Sequence, residues 1–457
     1  MPYLNKNRPP NRATIIKRRA VSAVQKFLHI QALGGIVLLC MAAAALMLAN
    51  SSYAQFYHNL WHTPLGFKFG SINVSWDLHF WINDILMTIF FLTAGMEIRR
   101  EIHEGALANL RQATLPIIAA IGGVVIPALI YLFFNLDPHR SHGWAVPTAT
   151  DIAFAVGILS LLGKAVPLNL HVILLSLAII DDIIAVLIIA FVYSSDLAPS
   201  GLLLVGLGIA LVLFFQWINL TSAWYYVLPG GLIWWGLFIT GAHPSLAGVI
   251  LGMMTPVLPA RSQMAPLEAI THAANALNTP KNSQSLHDIA YSLKQLSHQQ
   301  HYVMAPVTRV QMTLHPWVAY IVMPLFAFAN AGIGLSGIDA FSGNNAMIIL
   351  GVTLGLFLGK PLGIFGAAYL AVKSGLCRLP AHVNWSGILL IGLLAGMGFT
   401  MSIFVSMLAF NDINQLNTAK IGVLFGSGLS ALFGLGFGLF YLSQLKKPSA
   451  PHKSTIS

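Results

Sequence analysis

The sequence predicts an all-α membrane protein with twelve transmembrane helices. Of its 457 residues, 56% are hydrophobic and 8% are charged, whereas soluble globular proteins carry roughly 25% charged residues. Apolar runs near the ~20 residues that cross the hydrocarbon core of a bilayer recur along the chain, and Lys and Arg collect in alternate connections between them. The runs predict spans at 30–50, 79–98, 114–135, 145–163, 169–193, 201–219, 223–240, 243–256, 315–333, 347–372, 385–410 and 418–444.

The distribution of the basic residues predicts the topology of these spans. Of the 24 Lys and Arg, 20 lie before the first span or in alternate connections, Lys68, Arg140 and Lys420 lie on the other side, and Lys360 lies within a span. Because cations are enriched on the cytoplasmic side of membrane proteins, we expect both termini in the cytoplasm. The net charge of +10 is therefore explained by the excess of Lys and Arg on the cytoplasmic side, and no nucleic-acid partner is expected.

Outside the spans the chain has little room for another domain. A basic segment at 1–29 precedes the helical domain at 30–444, and a short tail at 445–457 follows it. Residues 64–77 alternate polar and apolar side chains, which predicts a hairpin on the outer side. Residues 257–308 are rich in Gln, Asn, Ser and His and are interpreted as a polar cytoplasmic loop.

The N-terminal region and the cysteines exclude other classes. The basic stretch before the first apolar run resembles a secretory signal, but the apolar run exceeds the about 7–15 residues typical of such signals, and an uncleaved span is expected. Cys40 and Cys377 have neither the spacing of a disulfide framework nor that of a zinc site.

Two spans contain residues that interrupt a helix. VPTATDIAF at 146–154 places Pro147 and Asp151 inside the fourth span, and GMGFTMSIF at 396–404 places two glycines at a comparable depth in the eleventh. Paired breaks in two halves suggest inverted repeats with a binding site between them. Close helix packing through small residues is the alternative. It is preferred for Gly351, Gly355 and Gly359, and both interpretations stay open for GMGFT.

Ionisable residues lie at the centres of three spans. Asp181 and Asp182 occupy the middle of LSLAIIDDIIAVLII at 175–189, Lys360 lies next to the midpoint of the tenth span, and Asp151 lies near the centre of the fourth. A charge at this depth costs about 2.5–3.5 kcal/mol on insertion scales. We therefore expect a functional site, with a purely structural buried salt bridge as the alternative.

Helix geometry separates the two adjacent aspartates. Neighbouring residues diverge by about 100° around an α-helix, so one aspartate is expected to pair with Lys360 while the other faces a water-filled cavity and takes a cation or a proton. Carboxylates, the Thr150 hydroxyl and freed backbone carbonyls are the oxygen ligands that hard cations prefer.

Five motifs, in this order, resemble the NhaA-type bacterial sodium/proton antiporters: TATDIAFAVGILSLLG, LAIIDDIIAVLIIA, HPWVAYIVMPLFAFANAG, LGKPLGI and GMGFTMSIF. The resemblance covers residues 26–444 in register. It implies inverted repeats, and a fourth and an eleventh helix that unwind and cross at mid-membrane. NhaA is itself a standard example of that architecture, so the paired breaks and the resemblance are not independent arguments.

The resemblance also implies the activity. It is an electrogenic exchange of cytoplasmic Na⁺ or Li⁺ for external H⁺ across the bacterial inner membrane, in the service of sodium and pH homeostasis. The expected partners are these ions, the lipid bilayer and, through the hairpin, a second copy of the chain. No cofactor is expected, and the protein is not expected to be an enzyme.

Site residues follow from the same motifs. Asp182 is implied as the principal cation and proton site, Asp181 as its neighbour and the partner of Lys360, and Thr150 as a further oxygen ligand. Na⁺ is thus expected at Asp181 and Asp182. Asp151 and Lys360 are implied to balance the dipoles of the broken helices.

A second group of residues matches the family's pH-sensing region. At the inner end of the second span these are Glu97, Arg100 and Glu101, for which an ordinary solvated helix end is the alternative; the ninth span adds His315. The sequence departs from the family before His315. Gln311 and Met312 stand where the family has an acid followed by a histidine, which puts the pH regulation in doubt.

Three other classes are disfavoured. An intramembrane aspartyl protease needs a GxGD motif, which does not occur here. An ATP-driven pump needs a P-loop, and GLFLGKP lacks its spacing and its Ser or Thr. A passive cation channel is disfavoured because a lysine at mid-membrane repels cations unless it is paired.

Overall fold

The structure is a computed structural model and describes residues 33–69, 72–163, 166–194, 198–218, 220, 222–257, 305–334, 343–380 and 383–445. The basic segment at 1–29, nearly all of the predicted loop at 257–308 and nearly all of the tail at 445–457 lie outside these ranges. The described part is mainly helical, as the composition predicts.

Within the described residues, the first half of the chain forms ten helices and one hairpin. They are α1 (Leu33–Ala49), α2 (Ala54–Trp61), β1 (Pro64–Phe69), β2 (Ile72–Asp77), α3 (Leu78–Glu104, with a π-helical turn at Trp81–Leu86), α4 (Leu110–Phe134), α5 (Pro138–Thr148), α6 (Ile152–Leu161), α7 (Leu168–Phe191), α8 (Pro199–Trp217), α9 (Val227–Thr240) and α10 (Leu246–Met254). Short 3₁₀ segments at Ala106–Ala108 and Ala223–Tyr226 precede α4 and α9.

The described residues of the second half form five helices. They are α11 (Pro306–Asn330, with a π-helical turn at Val318–Val322), α12 (Gly343–Leu354, continued by a π-helical turn at Gly355–Gly359 and by Lys360–Lys373), α13 (Trp385–Ala395), α14 (Phe399–Ala409) and α15 (Ile413–Leu445).

Many of these helices have the length and apolarity to cross a membrane. Within the described residues seven helices qualify alone, and the number rises to ten if each of three bent pairs counts as one span. The remaining two predicted spans fall on α9 and α10, whose 14 and 9 residues are fewer than the ~20 that a bilayer requires. A multi-pass, mainly helical membrane protein is thus confirmed, while the count of twelve spans stays a prediction.

The strands β1 and β2 form an antiparallel hairpin where the sequence predicts one. Their register pairs Pro64 with Asp77 at one end and Phe69 with Ile72 at the other. The Asp77 carboxylate accepts a hydrogen bond from the amide of Phe80 and so caps the start of α3. The hairpin is thereby fixed to the first turn of that helix.

Two of the bent pairs contain the breaks that the sequence predicts. The axes of α5 and α6 differ by 43°, and those of α13 and α14 by 49°. Pro147 lies in the last turn of α5, and Asp151 and Gly398 are the N-cap residues of α6 and α14. The two breaks contact each other, because the amide of Asp151 donates to the carbonyl oxygen of Met397 at 2.7 Å.

Helix α12 packs closely along α4 through glycines. A Cβ atom on Gly359 would contact the backbone of Pro127, and one on Gly363 would overlap the carbonyl of Gly122. Gly351 and Gly355 are also crowded by side chains of neighbouring segments. This agrees with the packing role expected for Gly351, Gly355 and Gly359, and it holds Lys360 next to the broken helices.

Candidate cation-binding site

Lys360 and Asp181 form a buried ion pair at the centre of the helix bundle. The Lys360 ammonium lies 2.5 Å from Asp181 Oδ2, and neither side chain is exposed. The π-helical turn at Gly355–Gly359 directly precedes Lys360, and Pro361 follows it. The pairing is the one that the family resemblance implies, and it neutralises one of the two central carboxylates.

Thr150 joins this pair to the break between α13 and α14. Its hydroxyl lies 2.7 Å from Asp181 Oδ2 and 2.9 Å from the carbonyl oxygen of Ala395. A hydroxyl has one proton, so it donates to one of these oxygens at a time. Asp181 Oδ1 has no hydrogen-bond partner among the described residues, and one carboxylate oxygen of the pair is therefore unused.

Asp151 caps two helices at once. Its Oδ1 accepts from the amide of Phe154 at 3.1 Å, and its Oδ2 accepts from the amide of Thr400 at 3.2 Å and from the Thr400 hydroxyl. A carboxylate at a helix N-terminus is stabilised by the unpaired amides and by the helix dipole. The contacts of Asp151 therefore fit the dipole-balancing role implied for it, whereas the described contact of Lys360 is to Asp181.

Asp182 lines a cavity and takes no part in the ion pair. The cavity has a volume of about 60 Å³, and its walls include Glu97, Thr150, Asp151, Asp182 and His315. Each water needs about 10–15 Å³ of such space, so the cavity has room for several. No hydrogen bond or ion pair to the Asp182 carboxylate occurs in the part of the chain that the structure describes.

The expected pH-sensing residues divide into two groups. Glu97 and His315 line the cavity of Asp182. Arg100 and Glu101 lie in the last turns of α3, half-buried and outside the cavity wall, although Arg100 is near enough to act electrostatically on both Glu97 and His315. The structure thus brings two of the four residues to the site.

Two residues of the site were not singled out as site residues by sequence reasoning. Thr400 binds Asp151, and Ser427 of α15 accepts a hydrogen bond from the amide of Phe399 at 3.1 Å. Gly398 has no side chain with which to cap α14, so Ser427 Oγ and Asp151 Oδ2 accept hydrogen bonds from the first free amides of that helix. The glycines of the break indicated that the backbone near Thr400 is not helical and needs partners. Nothing in the sequence around Ser427 indicated its role.

The donor set fits a hard monovalent cation better than a transition metal. The polar side chains in the cavity wall are the carboxylates of Glu97, Asp151 and Asp182, the hydroxyls of Thr93 and Thr150, and the imidazole of His315. Across the described ranges, no three His, Cys, Asp or Glu side chains come together as a metal site. Surroundings in which oxygen donors predominate suit Na⁺ or Li⁺.

The model of the family described as Na⁺/H⁺ antiporter 1 matches residues 25–437. The chain belongs to this Na⁺/H⁺ antiporter family. A relative from Bartonella bacilliformis, named Na(+)/H(+) antiporter NhaA, is 66% identical over 444 residues, which cover 97% of this chain and 98% of the relative. A Cupriavidus necator protein of the same name is 56% identical over 96% of this chain and 94% of its own length.

A solved structure is also similar to this member of the antiporter family. It is a sodium proton antiporter from Methanocaldococcus jannaschii, 12% identical in sequence with a TM-score of 0.49, and the match covers 93% of this chain and 99% of that one.

Proposed function

We propose that this chain exchanges cytoplasmic Na⁺ or Li⁺ for external H⁺ across the bacterial inner membrane, as a transporter and not an enzyme. The observation that carries the proposal is the contrast between the adjacent aspartates. Asp181 is neutralised by Lys360. Asp182 faces a cavity of about 60 Å³, and within the described residues its carboxylate has no hydrogen bond or ion pair. The names of the relatives support the same activity.

Competition for one carboxylate couples the two ions. Desolvation favours the neutral form of a buried carboxyl group, so Asp182 without a cation tends to hold a proton. A bound Na⁺ replaces that proton, with the Thr150 hydroxyl and backbone carbonyls as further oxygen ligands. Because H⁺ and Na⁺ use the same oxygens, only one of them is carried at a time.

The same chemistry accounts for alternating access. An ionised, unpaired carboxylate is costly to move through a low-dielectric barrier, while a protonated or Na⁺-loaded one is not. The two breaks, joined by the contacts of Asp151 with Met397 and Thr400, are the segments we propose to cross at mid-membrane as parts of two inverted repeats. Twelve crossings, both termini in the cytoplasm and a homodimer through the hairpin complete the proposed architecture.

We further propose that a second group in addition to Asp182 takes up a proton in each cycle, so that more protons than sodium ions are exchanged, and transport moves net charge and serves sodium and pH homeostasis. An imposed voltage should then change the exchange rate in proteoliposomes. A rate that does not respond to voltage would argue for neutral exchange.

The direct test is Asp182→Asn, which keeps the shape of the side chain and removes its charge. Everted membrane vesicles are energised, Na⁺ or Li⁺ is added, and proton release is followed with a pH-sensitive dye. Wild-type protein should give a cation-dependent signal and Asp182→Asn none. Asp412→Asn, at an exposed carboxylate before α15, is the matched control and should behave as wild type. A normal signal from Asp182→Asn would end the proposed role.

A further inference from the structure

Helix α3 presents one face to the cavity of Asp182. The residues of α3 in the cavity wall are Phe90, Thr93, Ala94 and Glu97, and their spacing of i, i+3, i+4 and i+7 is that of one face of an α-helix. Thr93 lies one helical turn before Glu97. Among the polar residues of the wall, it is the one to which neither the sequence motifs nor the proposed exchange assigns a role.

The hydroxyl proton of Thr93 is committed to the backbone. Thr93 Oγ1 lies 2.7 Å from the carbonyl oxygen of Phe90, and a carbonyl oxygen only accepts, so the hydroxyl donates its single proton there. The hydroxyl oxygen also has two lone pairs, and no group among the described residues donates a hydrogen bond to it. Such an oxygen can coordinate a cation but has no proton left to bind an anion.

Helix stability does not account for this hydroxyl. The side chain of Thr93 is 6% exposed, and a threonine that bonds to a carbonyl of the preceding turn is neutral or unfavourable for a helix. Valine has nearly the same shape and would fill the position without burying a polar atom. Coordination of a ligand in the cavity is a use for an oxygen at this position that valine could not supply.

Few other side-chain oxygens in the wall are available to a cation at Asp182. The Asp151 carboxylate already accepts hydrogen bonds on both of its oxygens. The Thr150 hydroxyl gives its proton to one of two other oxygens, so its own lone pairs remain free. The side-chain oxygens of the wall that accept no hydrogen bond from a described residue are those of Asp182, Glu97, Thr93 and Thr150.

The volume of the cavity makes such oxygens necessary. A volume of about 60 Å³ leaves room for several waters at most, since each needs about 10–15 Å³. A cation at Asp182 therefore cannot keep its full hydration shell, and oxygen atoms of the protein have to replace the missing waters. A neutral hydroxyl is suited to this because it adds a ligand without adding a charge, so the Asp182 carboxylate alone balances the cation.

We propose that the Thr93 hydroxyl is a ligand of the transported cation, bound together with the Asp182 carboxylate and the Thr150 hydroxyl. This inference rests on the proposed antiport and adds to it a residue of α3 that sets the affinity for Na⁺ or Li⁺. A proton on Asp182 needs no further ligand. Thr93 therefore stabilises the cation-loaded site over the proton-loaded one and shifts the competition for Asp182 toward the cation.

The test is Thr93→Val, which replaces the hydroxyl by a methyl group and leaves every charge in place. Na⁺/H⁺ exchange is measured in proteoliposomes over a range of Na⁺ concentrations, at one fixed pH on each side. The KM for Na⁺ should rise roughly three- to tenfold, the size expected for one lost neutral oxygen contact, and the maximal rate should fall by a smaller factor. An unchanged KM in an active Thr93→Val protein would overturn the inference.

Two further variants separate a lost ligand from a disturbed helix. Thr93→Ser keeps a hydroxyl that can bond to the carbonyl of Phe90, and its KM should return close to that of the wild type. Thr88→Val, on the same helix but outside the cavity wall, removes a hydroxyl that donates to the carbonyl of Asp84, and its KM should stay unchanged. Equal increases of KM in both valine variants would contradict the proposed ligand. A wild type without Na⁺-dependent exchange would instead refute the proposed function.

A binding measurement keeps the inference testable if Thr93→Val does not transport or does not fold. Na⁺ that binds the folded protein raises its melting temperature, so thermal unfolding in detergent at increasing Na⁺ concentrations reports binding without transport. Half of the stabilisation should require more Na⁺ in Thr93→Val, or in the smaller variant Thr93→Ala, than in wild type and Thr88→Val. The same dependence on Na⁺ in all of these proteins would contradict the inference.

Discussion

The Lys360 ammonium and the Asp181 carboxylate lie 2.5 Å apart with no exposed surface on either side chain. Taking two charges out of water costs several kcal/mol per ion, and their attraction offsets this only while both partners remain. The attraction within the pair thus holds the Lys360 ammonium in the bundle, and it leaves Asp182 as the carboxylate for which we propose ion exchange.

Asp181→Asn should lower stability strongly. The substitution leaves the Lys360 ammonium buried without its anion, and breaking such a pair costs about 3–5 kcal/mol. Thermal unfolding in detergent measures the effect, and the double variant with Lys360→Met should recover part of the loss because no isolated charge remains. A melting temperature unchanged by Asp181→Asn would mean that the two residues are not paired in the membrane.

Thr400→Val should destabilise the contact between the two breaks. The change removes the hydroxyl that donates to Asp151 Oδ2, and a buried acceptor that loses a partner costs about 1–3 kcal/mol. Thr400→Ser retains the hydroxyl and serves as the control in the same unfolding measurement. Equal melting temperatures for the Val and Ser variants would mean that the Thr400 hydroxyl does not stabilise this contact.

Gly363→Ala should disrupt the packing of α12 on α4. Its new methyl group would overlap the carbonyl of Gly122, whereas a methyl group on Gly366 of the same helix meets nothing within 4 Å. Gly366→Ala should be neutral or stabilising by up to about 1 kcal/mol, since alanine favours the helix. Comparison of the two variants by thermal unfolding separates the effect of packing from that of helix propensity. A smaller loss of stability for Gly363→Ala than for Gly366→Ala would contradict the close approach of α12 to α4.

The activity of this chain should depend less steeply on pH than that of relatives with an acid at position 311. Gln311 is 3% exposed, its Oε1 accepts no hydrogen bond within the described residues, and an amide does not titrate. Met312 is 59% exposed and cannot titrate either. Gln311→Glu should steepen the alkaline activation measured by proton release in vesicles, and Met312→Leu is the control. A steep alkaline activation in the wild type would refute the prediction.

Much of the fold could be predicted because it depends on properties that add along the chain. Hydrophobicity and the placement of Lys and Arg indicated a multi-pass helical protein, and Pro147 and Gly398 marked the two breaks. The number of twelve spans stays a prediction, because α9 and α10 have apolar sequences but only 14 and 9 helical residues. Composition does not show where an apolar run stops being helical.

The candidate site could be predicted only in part. The cost of burying charge singled out Asp151, Asp181, Asp182 and Lys360, and helix geometry required the two adjacent aspartates to differ. Helix geometry could not say which of the two aspartates pairs with Lys360. That assignment came from the family resemblance. Thr400 was noted only as part of a break, because its partner Asp151 lies 249 positions away.

The sequence by itself determined that this chain lies in a membrane and that it holds ionisable groups at mid-depth, because the transfer of each side chain from water to lipid has a free energy that depends little on its neighbours. Only the tertiary structure decided which groups are neutralised and which are free. It placed Lys360 on Asp181, gave Asp182 a cavity and joined Asp151 to Thr400. Hydrogen bonds and ion pairs act over a few ångströms, so they are set by how the helices pack and not by their order in the chain.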